Sequence, residues 1–558
     1  MGVRRAMEMV LAEANRQKGM LFTYGPLIHN NQVLDLLESK KVRAIDDITG
    51  LDKGTLLIRA HGIPPQERSL LKSSNLKIID ATCPRVAKVQ AIIRYHAKKG
   101  YIPVIVGDRD HAEVIGLVGY GEGKARVINS IDELSDFPNT ARLCLVAQTT
   151  QNEDLYAEIS DFVRINYPDS LIFETICEAT SDRQAEVKSL AEHVDGIVVV
   201  GGYHSGNTRR LARISEETGT PTFHIETEKE LSKEDFSSME TIGITAGAST
   251  PNWMIKNVIK EIEAIKGRGE TVVERWMKKG FKFLLLSNLL VSMGAFSLSY
   301  AAAILSGRNP DIYYPLLTFL YIYAIHVLYR FLDKGASSYN DPERAGFYKR
   351  HRKFLIFTSV FAIISALIIS YHCGLAVFTI MTGLTLLGII YSIPIVPSSL
   401  RHVWRYAKIK DIPGSKTLLE ALAWTIVITL LPFVEIPGLE WGAVTITFFI
   451  VFSMAFVRTA FFDVFQVQGD LIVGVETLPI YLGERKTITL LKWIIVLAAA
   501  ILIIAPFFNL VSLFSLMLII SLLTLSLTFT AYENRRIYPG PLLELLVEGN
   551  LFLTGLLG

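Results

Sequence analysis

The chain runs to 558 residues, carries 56 Lys and Arg against 54 Asp and Glu for a formal net charge of +2, and is 50% hydrophobic. So balanced a charge leaves no case for nucleic acid as a partner, and the length gives room for more than one domain. Four cysteines in a chain this long argue against a disulfide framework.

The opening stretch MGVRRAMEMVLAEANRQKG places Val3, Met7, Val10, Leu11 and Ala14 at helical spacing, which predicts a core-facing amphipathic helix. Its charges are not those of a cleavable signal peptide. Short apolar runs (TLLIRA, LKIIDA, IPVIVG, LCLVAQ, GIVVVGG, TIGITAG) then alternate with helical patterns as far as residue 265, the pattern of α/β architecture with parallel strands. Cys83 and Cys177 each follow such a run and precede a helix, in LKIIDATCPRVAKVQAII and SLIFETICEATSDRQAEV, 94 residues apart. That separation is about one small α/β lobe and predicts an internal repeat. Val86 and Lys88 lie three and five positions beyond Cys83, and Val3 and Arg5 stand at the same offsets from a residue directly before Met1, so a third lobe is expected to place its cysteine there. Cys144, within ARLCLVAQ, and Cys373, at a predicted helix end, read as packing residues.

Polar side chains recur where strands give way to helices, the place where open α/β sheets bind ligands. They are His29 in GPLIHN, His61 in RAHG, His111 and Glu113 in DHAEVIG, Thr149 in QTT, Ser205 and Asn207 in HSGNTRRL, and Ser249 in TAGAS. The loop GGYHSGNT, between the run GIVVV and a helix, has the form of an anion cradle at a helix N-terminus. In this order, and with DATCP and ICEAT, the motifs resemble the 4-hydroxy-3-methylbut-2-enyl diphosphate reductase family, the last enzyme of the non-mevalonate isoprenoid pathway, over residues 1–265. The resemblance implies a three-lobed, pseudo-threefold α/β fold around a 4Fe-4S cluster held by one cysteine per lobe, Cys83 and Cys177 among them, with one iron open to the substrate hydroxyl. It also implies Glu113 as proton donor with His111 and Thr149 in the relay, and His29, His61, His111, Ser205, Asn207 and Ser249 around the diphosphate. A ferredoxin- or flavodoxin-like donor supplies the electrons in such a scheme. That family carries a strand and a third cysteine just ahead of the Gly-Val-Arg-Arg helix, and this sequence does not. Either Met1 is an internal methionine of a longer chain, or the third ligand has been lost.

A basic linker, 266–281, leads into a different composition: apolar stretches near 282–306, 314–332, 354–373, 375–397, 418–435, 441–461, 488–507, 510–530 and 540–557. Each suffices to cross a hydrocarbon core of about 30 Å, so 282–558 is expected to be an all-α membrane domain of about nine transmembrane helices. Lys and Arg crowd the connections 333–353 and 398–417, whereas Arg308 stands alone in the alternate ones. Under the positive-inside rule this predicts a multi-pass protein of the inner (cytoplasmic) membrane with its N-terminal half in the cytoplasm.

Carboxylates gather at span ends on that face, Asp333 after the second span and Asp463 and Asp470 in DVFQVQGD after the sixth. Near lipid they are costly unless they bind something, and Mg2+ bridging a diphosphate fits. With GVETLPIYLG, LLGIIYSIP around Tyr391, and AKIKDIPGSK around Lys408 and Lys410, this half resembles UbiA-type intramembrane prenyltransferases. The resemblance implies Mg2+ at Asp333, Asp463 and Asp470, a prenyl diphosphate near Lys408, Lys410 and Tyr391, and a lipophilic acceptor reached from membrane lipid. Two positions depart from the family pattern, Tyr329 where an Asn opens the first motif and Gln466 where the second often has Asp; Asp341 and Glu343 are candidate replacements. The whole reads as a bifunctional isoprenoid enzyme. The alternative is a cluster-less, diphosphate-binding regulatory module attached to a membrane prenyltransferase.

Overall fold

The computed structural model describes residues 2–16, 19–28, 30–49, 51, 53–265, 271–391, 412, 414–435, 440–475, 477–534 and 536–557, apart from 333 and 334. The chain divides into two compact units, Met1–Gly269 and Glu270–Gly558.

The first unit holds three sheets, parallel throughout. Strands β1 (Leu21–Tyr24), β2 (Val42–Ile45), β3 (Thr55–Ile58) and β4 (Lys77–Asp80) pair in the order β2-β1-β3-β4. Strands β5 (Ile102–Val106), β6 (Arg126–Ile128), β7 (Leu143–Ala147) and β8 (Leu171–Ile172) repeat that order as β6-β5-β7-β8. Strands β9 (Gly196–Val200), β10 (Thr222–Ile225) and β11 (Ile242–Ala246) form the third sheet, β10-β9-β11. The central strands β3, β7 and β9 are buried along their whole length, as parallel strands covered on both faces must be. Cys144 sits fully buried in β7, as expected of a packing residue.

Five helices position the polar residues: α1 (Gly2–Arg16), α2 (Pro84–Lys98), α3 (Ala112–Val118), α4 (Glu178–Ala191) and α5 (Gly206–Glu217). Helix α1 turns Ala6, Val10 and Leu11 into the core; of the predicted stripe Val10 and Leu11 are buried, while Val3, Met7 and Ala14 are covered only in part. Its first turn stands against Cys83, where a Cβ added to Gly2 would lie 2.6 Å from the sulfur, and Arg5 Nη1 donates to the Thr82 carbonyl at 3.1 Å.

The second unit is helical: α6 (Val272–Leu286), α7 (Leu289–Leu305), α8 (Tyr313–Leu332), α9 (Pro342–Arg350), α10 (Arg352–Cys373), α11 (Leu375–Ile390), α12 (Ser415–Thr425), α13 (Trp441–Val473), α14 (Glu484–Ile504), α15 (Leu518–Glu533) and α16 (Pro541–Leu557). A π-helical turn, Ile426–Leu430, carries α12 onward to Glu435. By length and composition five helices among the described residues can cross a membrane, or six if the bent pair α6–α7 counts as one. The sequence expectation was nine. Two of the remaining stretches form helices of 16 and 17 residues, α11 and α16, which fall just short of a full span. Helix α8 has 20 residues, but five tyrosines, a His and an Arg interrupt its apolar run. Many hydroxyls inside these helices return their protons to the preceding turn, as Thr425 does to Ala421 O at 2.6 Å, whereas those of Ser299, Thr318 and Ser453 are buried without a partner among the described residues.

Candidate functional sites

In the α/β unit the loops after β3, β5, β7 and β9 converge. His111 caps α3, its Nδ1 accepting the Glu113 N–H at 3.2 Å, and so turns Glu113 inward, where it is 2% exposed. One Glu113 oxygen accepts the Thr149 N–H at 2.7 Å and the other the Thr149 hydroxyl at 2.8 Å. Burial pushes the Glu113 pKa up, against the two Thr149 hydrogen bonds and the nearby Arg210 charge, which favour the carboxylate. The His61 ring meets the His111 ring edge-on, 5.2 Å between centroids. Arg210 on α5 pairs with Asp108 at 3.1 Å and donates to the Thr150 carbonyl, tying the loops after β5 and β7 to the helix that follows β9.

The N-terminus of α5 lies at the same place: a Cβ on Gly206 would stand 3.6 Å from His111 Cδ2. Ser205 caps this helix, accepting the Thr208 N–H at 3.4 Å, which leaves its own proton for a ligand. The turn after β11 packs on this first helical turn, with Gly247 so close to Thr208 that a Cβ would be 2.0 Å from its hydroxyl. Asn207 Nδ2 and Ser249 Oγ are buried without a hydrogen-bond partner among the described residues. Native structures rarely strand such groups, and buried donors at strand ends suit an anionic ligand. His29 lies outside the described residues. Its neighbour Asn30 caps the helix Asn31–Ser39 and donates to Met254 Sδ at 3.4 Å.

Cys83 and Cys177 are each the N-cap of a helix, α2 and α4, and each follows an edge strand, β4 and β8. An Arg85–Glu178 ion pair at 2.8 Å joins the two helix N-termini. Both thiols are half-buried. Among the described residues no group of three His, Cys, Asp or Glu is placed to hold a metal. For an iron–sulfur cluster the donors present are right in kind and too few in number.

In the helical unit Asp463 and Asp470 are two turns apart on α13, 1% and 2% exposed. Asp463 accepts from Lys416 Nζ at 2.7 Å and from the Thr417 hydroxyl at 2.7 Å, and Lys416 also reaches Gln466 Oε1 at 3.2 Å. Asp470 accepts from Asn340 Nδ2 at 3.0 Å, while Asn340 Oδ1 takes the Gly469 N–H at 2.9 Å. The Tyr391 ring stands 6.0 Å from that of Tyr329. Asp333, Lys408 and Lys410 lie outside the described residues. Asp341 and Glu343 do not join the aspartates: Asp341 caps α9 and pairs with Arg344 at 3.3 Å, and Glu343 pairs with Lys282. Two buried carboxylates two turns apart on one helix face are donors of the kind Mg2+ takes when phosphate supplies its other oxygens, although Asp463 is here paired with the half-buried Lys416.

Lys416, Thr417 and Asn340 were not among the residues singled out in the sequence. Lys416 and Thr417 touch Asp463 across 47 and 46 positions, and Asn340 touches Asp470 across 130, distances at which no periodicity speaks.

Unpartnered donors around a buried acid at strand ends equip an α/β enzyme for an anionic substrate. Known proteins narrow that class. Residues 1–263 match the family model described as LytB protein, and residues 283–557 the one described as VviA prenyltransferase. The 4-hydroxy-3-methylbut-2-enyl diphosphate reductase of Opitutus terrae is 41% identical over 276 residues, 47% of this chain and 96% of that protein. Its counterpart in Geotalea uraniireducens is 43% identical over 264 residues, 47% of this chain and 93% of that protein. Through its N-terminal half the chain belongs to the LytB family. Among solved structures, the Plasmodium falciparum reductase aligns at 28% identity and TM-score 0.45, covering 48% of this chain and 85% of that one. A UbiA homolog from Archaeoglobus fulgidus bound to GPP and Mg2+ aligns at 14% identity and TM-score 0.36, covering 49% and 98%.

Proposed function

We propose that this chain is a bifunctional isoprenoid enzyme of the inner membrane. Its N-terminal unit, three pseudo-equivalent lobes lying on the cytoplasmic side, removes the hydroxyl of 4-hydroxy-3-methylbut-2-enyl diphosphate by two-electron reduction, giving isopentenyl and dimethylallyl diphosphate. The observation that carries this reading is the buried Glu113–Thr149 pair beside the unpartnered donors of Asn207 and Ser249. Asn207, Ser249, Ser205, His61 and His29 clasp the diphosphate. Glu113, whose pKa burial raises, delivers the proton that lets oxygen leave as water, and Thr149 and His111 hold the acid at that place. A 4Fe-4S cluster would supply the electrons, taken from a ferredoxin- or flavodoxin-like donor; Cys83 and Cys177 would be two of its ligands, and no other is among the described residues.

The helical unit, with about nine spans in the membrane, transfers a prenyl group to a lipophilic acceptor. Asp463, Asp470 and Asp333 would hold Mg2+, which would supply charge stabilisation to the leaving diphosphate, and Lys416, Lys408, Lys410 and Tyr391 would meet the phosphate charge. The experiment is product analysis of the full chain, purified without oxygen, with the hydroxylated diphosphate and a chemical reductant. N207A and S249A should each raise KM about tenfold, the loss of about one hydrogen bond to a charged group. Thermal stability should hold or rise, because each change also removes a stranded polar atom. A second reading rests on the two cysteines alone: a regulatory module that binds the diphosphate without reducing it. Binding that is weakened by the same substitutions but never accompanied by product would establish that module.

A further inference from the structure

Helix α6 opens on a capping box, with the Thr271 hydroxyl accepting the Glu274 N–H and the Glu274 carboxylate accepting the Thr271 N–H, so it starts as a helix in its own right rather than as the frayed end of a span. Val273, Trp276, Met277, Phe281 and Leu284 follow at spacings of three and four. Their side is not folded into the unit: Val273, Trp276 and Met277 are 67%, 74% and 70% exposed. Beside this stripe runs a second one of Arg275, Lys278, Lys279 and Lys282, with Glu274 the one acid on the helix. The other end of α6 is fixed, since Leu285 is buried, Phe283 meets Phe347 edge-on at 5.7 Å, and Lys282 pairs with Glu343 on α9. At Asn288, whose φ is +63°, the chain turns by 67° into α7, an apolar helix with eleven buried residues. If α7 runs across the bilayer, α6 lies nearer its plane than its normal.

We propose that α6 is an interfacial helix that binds anionic phospholipid at the membrane surface. Val273, Trp276, Met277 and Phe281 enter the boundary between headgroups and acyl chains, and Arg275, Lys278 and Lys279 meet headgroup phosphates. Bulky apolar side chains this exposed, directly continuous with an apolar bundle, find their partner in the same lipid, and the adjoining cations select its charge. Trp at that depth is well suited, being apolar in body and carrying one N–H for the wet side.

The test uses the full chain in nanodiscs of phosphatidylcholine, alone or mixed with phosphatidylglycerol, with bromine on the acyl chains near the headgroups. Subtracting the fluorescence of W276F isolates Trp276, and the readout needs neither catalytic activity, so its failure is separate from that of the proposed function. Bromolipid should quench the Trp276 component and acrylamide in the water should not. The bromolipid effect should fall by about half or more in phosphatidylcholine alone or on K278E/K279E. Quenching of Trp276 by acrylamide but not by bromolipid in either disc overturns the proposal. Bromolipid quenching that is indifferent to lipid charge and to K278E/K279E overturns its phosphate-binding part.

Discussion

Glu113 is one carboxyl among many in the chain, and what sets it apart is its surroundings. Burial raises its pKa above the ordinary 4.5, so between that value and the folded-state value the native protein holds a proton the unfolded chain has lost. Stability of the α/β unit should therefore fall as pH rises through this window, and E113Q should remove that part of the slope; denaturant titrations at several pH values measure it. The same substitution should cut reductive turnover by about 10²–10⁴-fold while leaving substrate binding within a few-fold, because it removes a proton donor and little contact. Glu113, His111 and Thr149 were legible as candidates because each sits at the end of an apolar run. That Thr149 grips both Glu113 oxygens was not, since the two residues are 36 positions apart and on different strands' loops.

Between helices of the apolar unit some ties are ionic and largely hidden from solvent. Arg458 on α13 binds Glu548 on α16 at 2.6 Å and Glu420 on α12 at 2.9 Å, its guanidinium also lying 5.3 Å from the Trp424 ring centre. This clamp holds α12, which carries Lys416 and Thr417, against α13, which carries Asp463. Removing the cation alone leaves the buried Glu548 carboxylate and the half-buried Glu420 carboxylate without it. R458M should lower stability by about 3–5 kcal/mol and take prenyl transfer with it, whereas R458M/E420Q/E548Q should recover most of the stability. Thermal unfolding in lipid nanodiscs reads both. The span reading agrees with the helices where apolar runs are long, as in α10, α13 and α14, and goes beyond what length and composition support where tyrosines or chain turns interrupt the run, as in α8 and α11. Hydropathy registers apolar content, while where a helix stops depends on turns such as Gly374, with φ of +148° between α10 and α11.

At the scale of the whole molecule a reductase-family domain and a prenyltransferase-family domain share one chain, and the two proposed chemistries should come apart under a chelator. EDTA should abolish prenyl transfer and restore it on adding Mg2+, with reductive turnover unchanged over the same minutes; parallel assays on one preparation check this. The sequence by itself determined the division into an α/β half and an apolar half, the parallel sheets, and the repeat that brings Cys83 and Cys177 to equivalent helix starts. Those properties follow from local periodicity and from motifs a few residues long, which the chain carries whatever its neighbours do. Only the tertiary structure decided that Asn207 and Ser249 are stranded donors, that Lys416 neutralises Asp463, that Asn340 rather than Asp341 reaches Asp470, and that the stripe on α6 stays uncovered. Each of these depends on which distant segment packs alongside, and burial and pairing are properties of the packed neighbourhood that no short stretch contains.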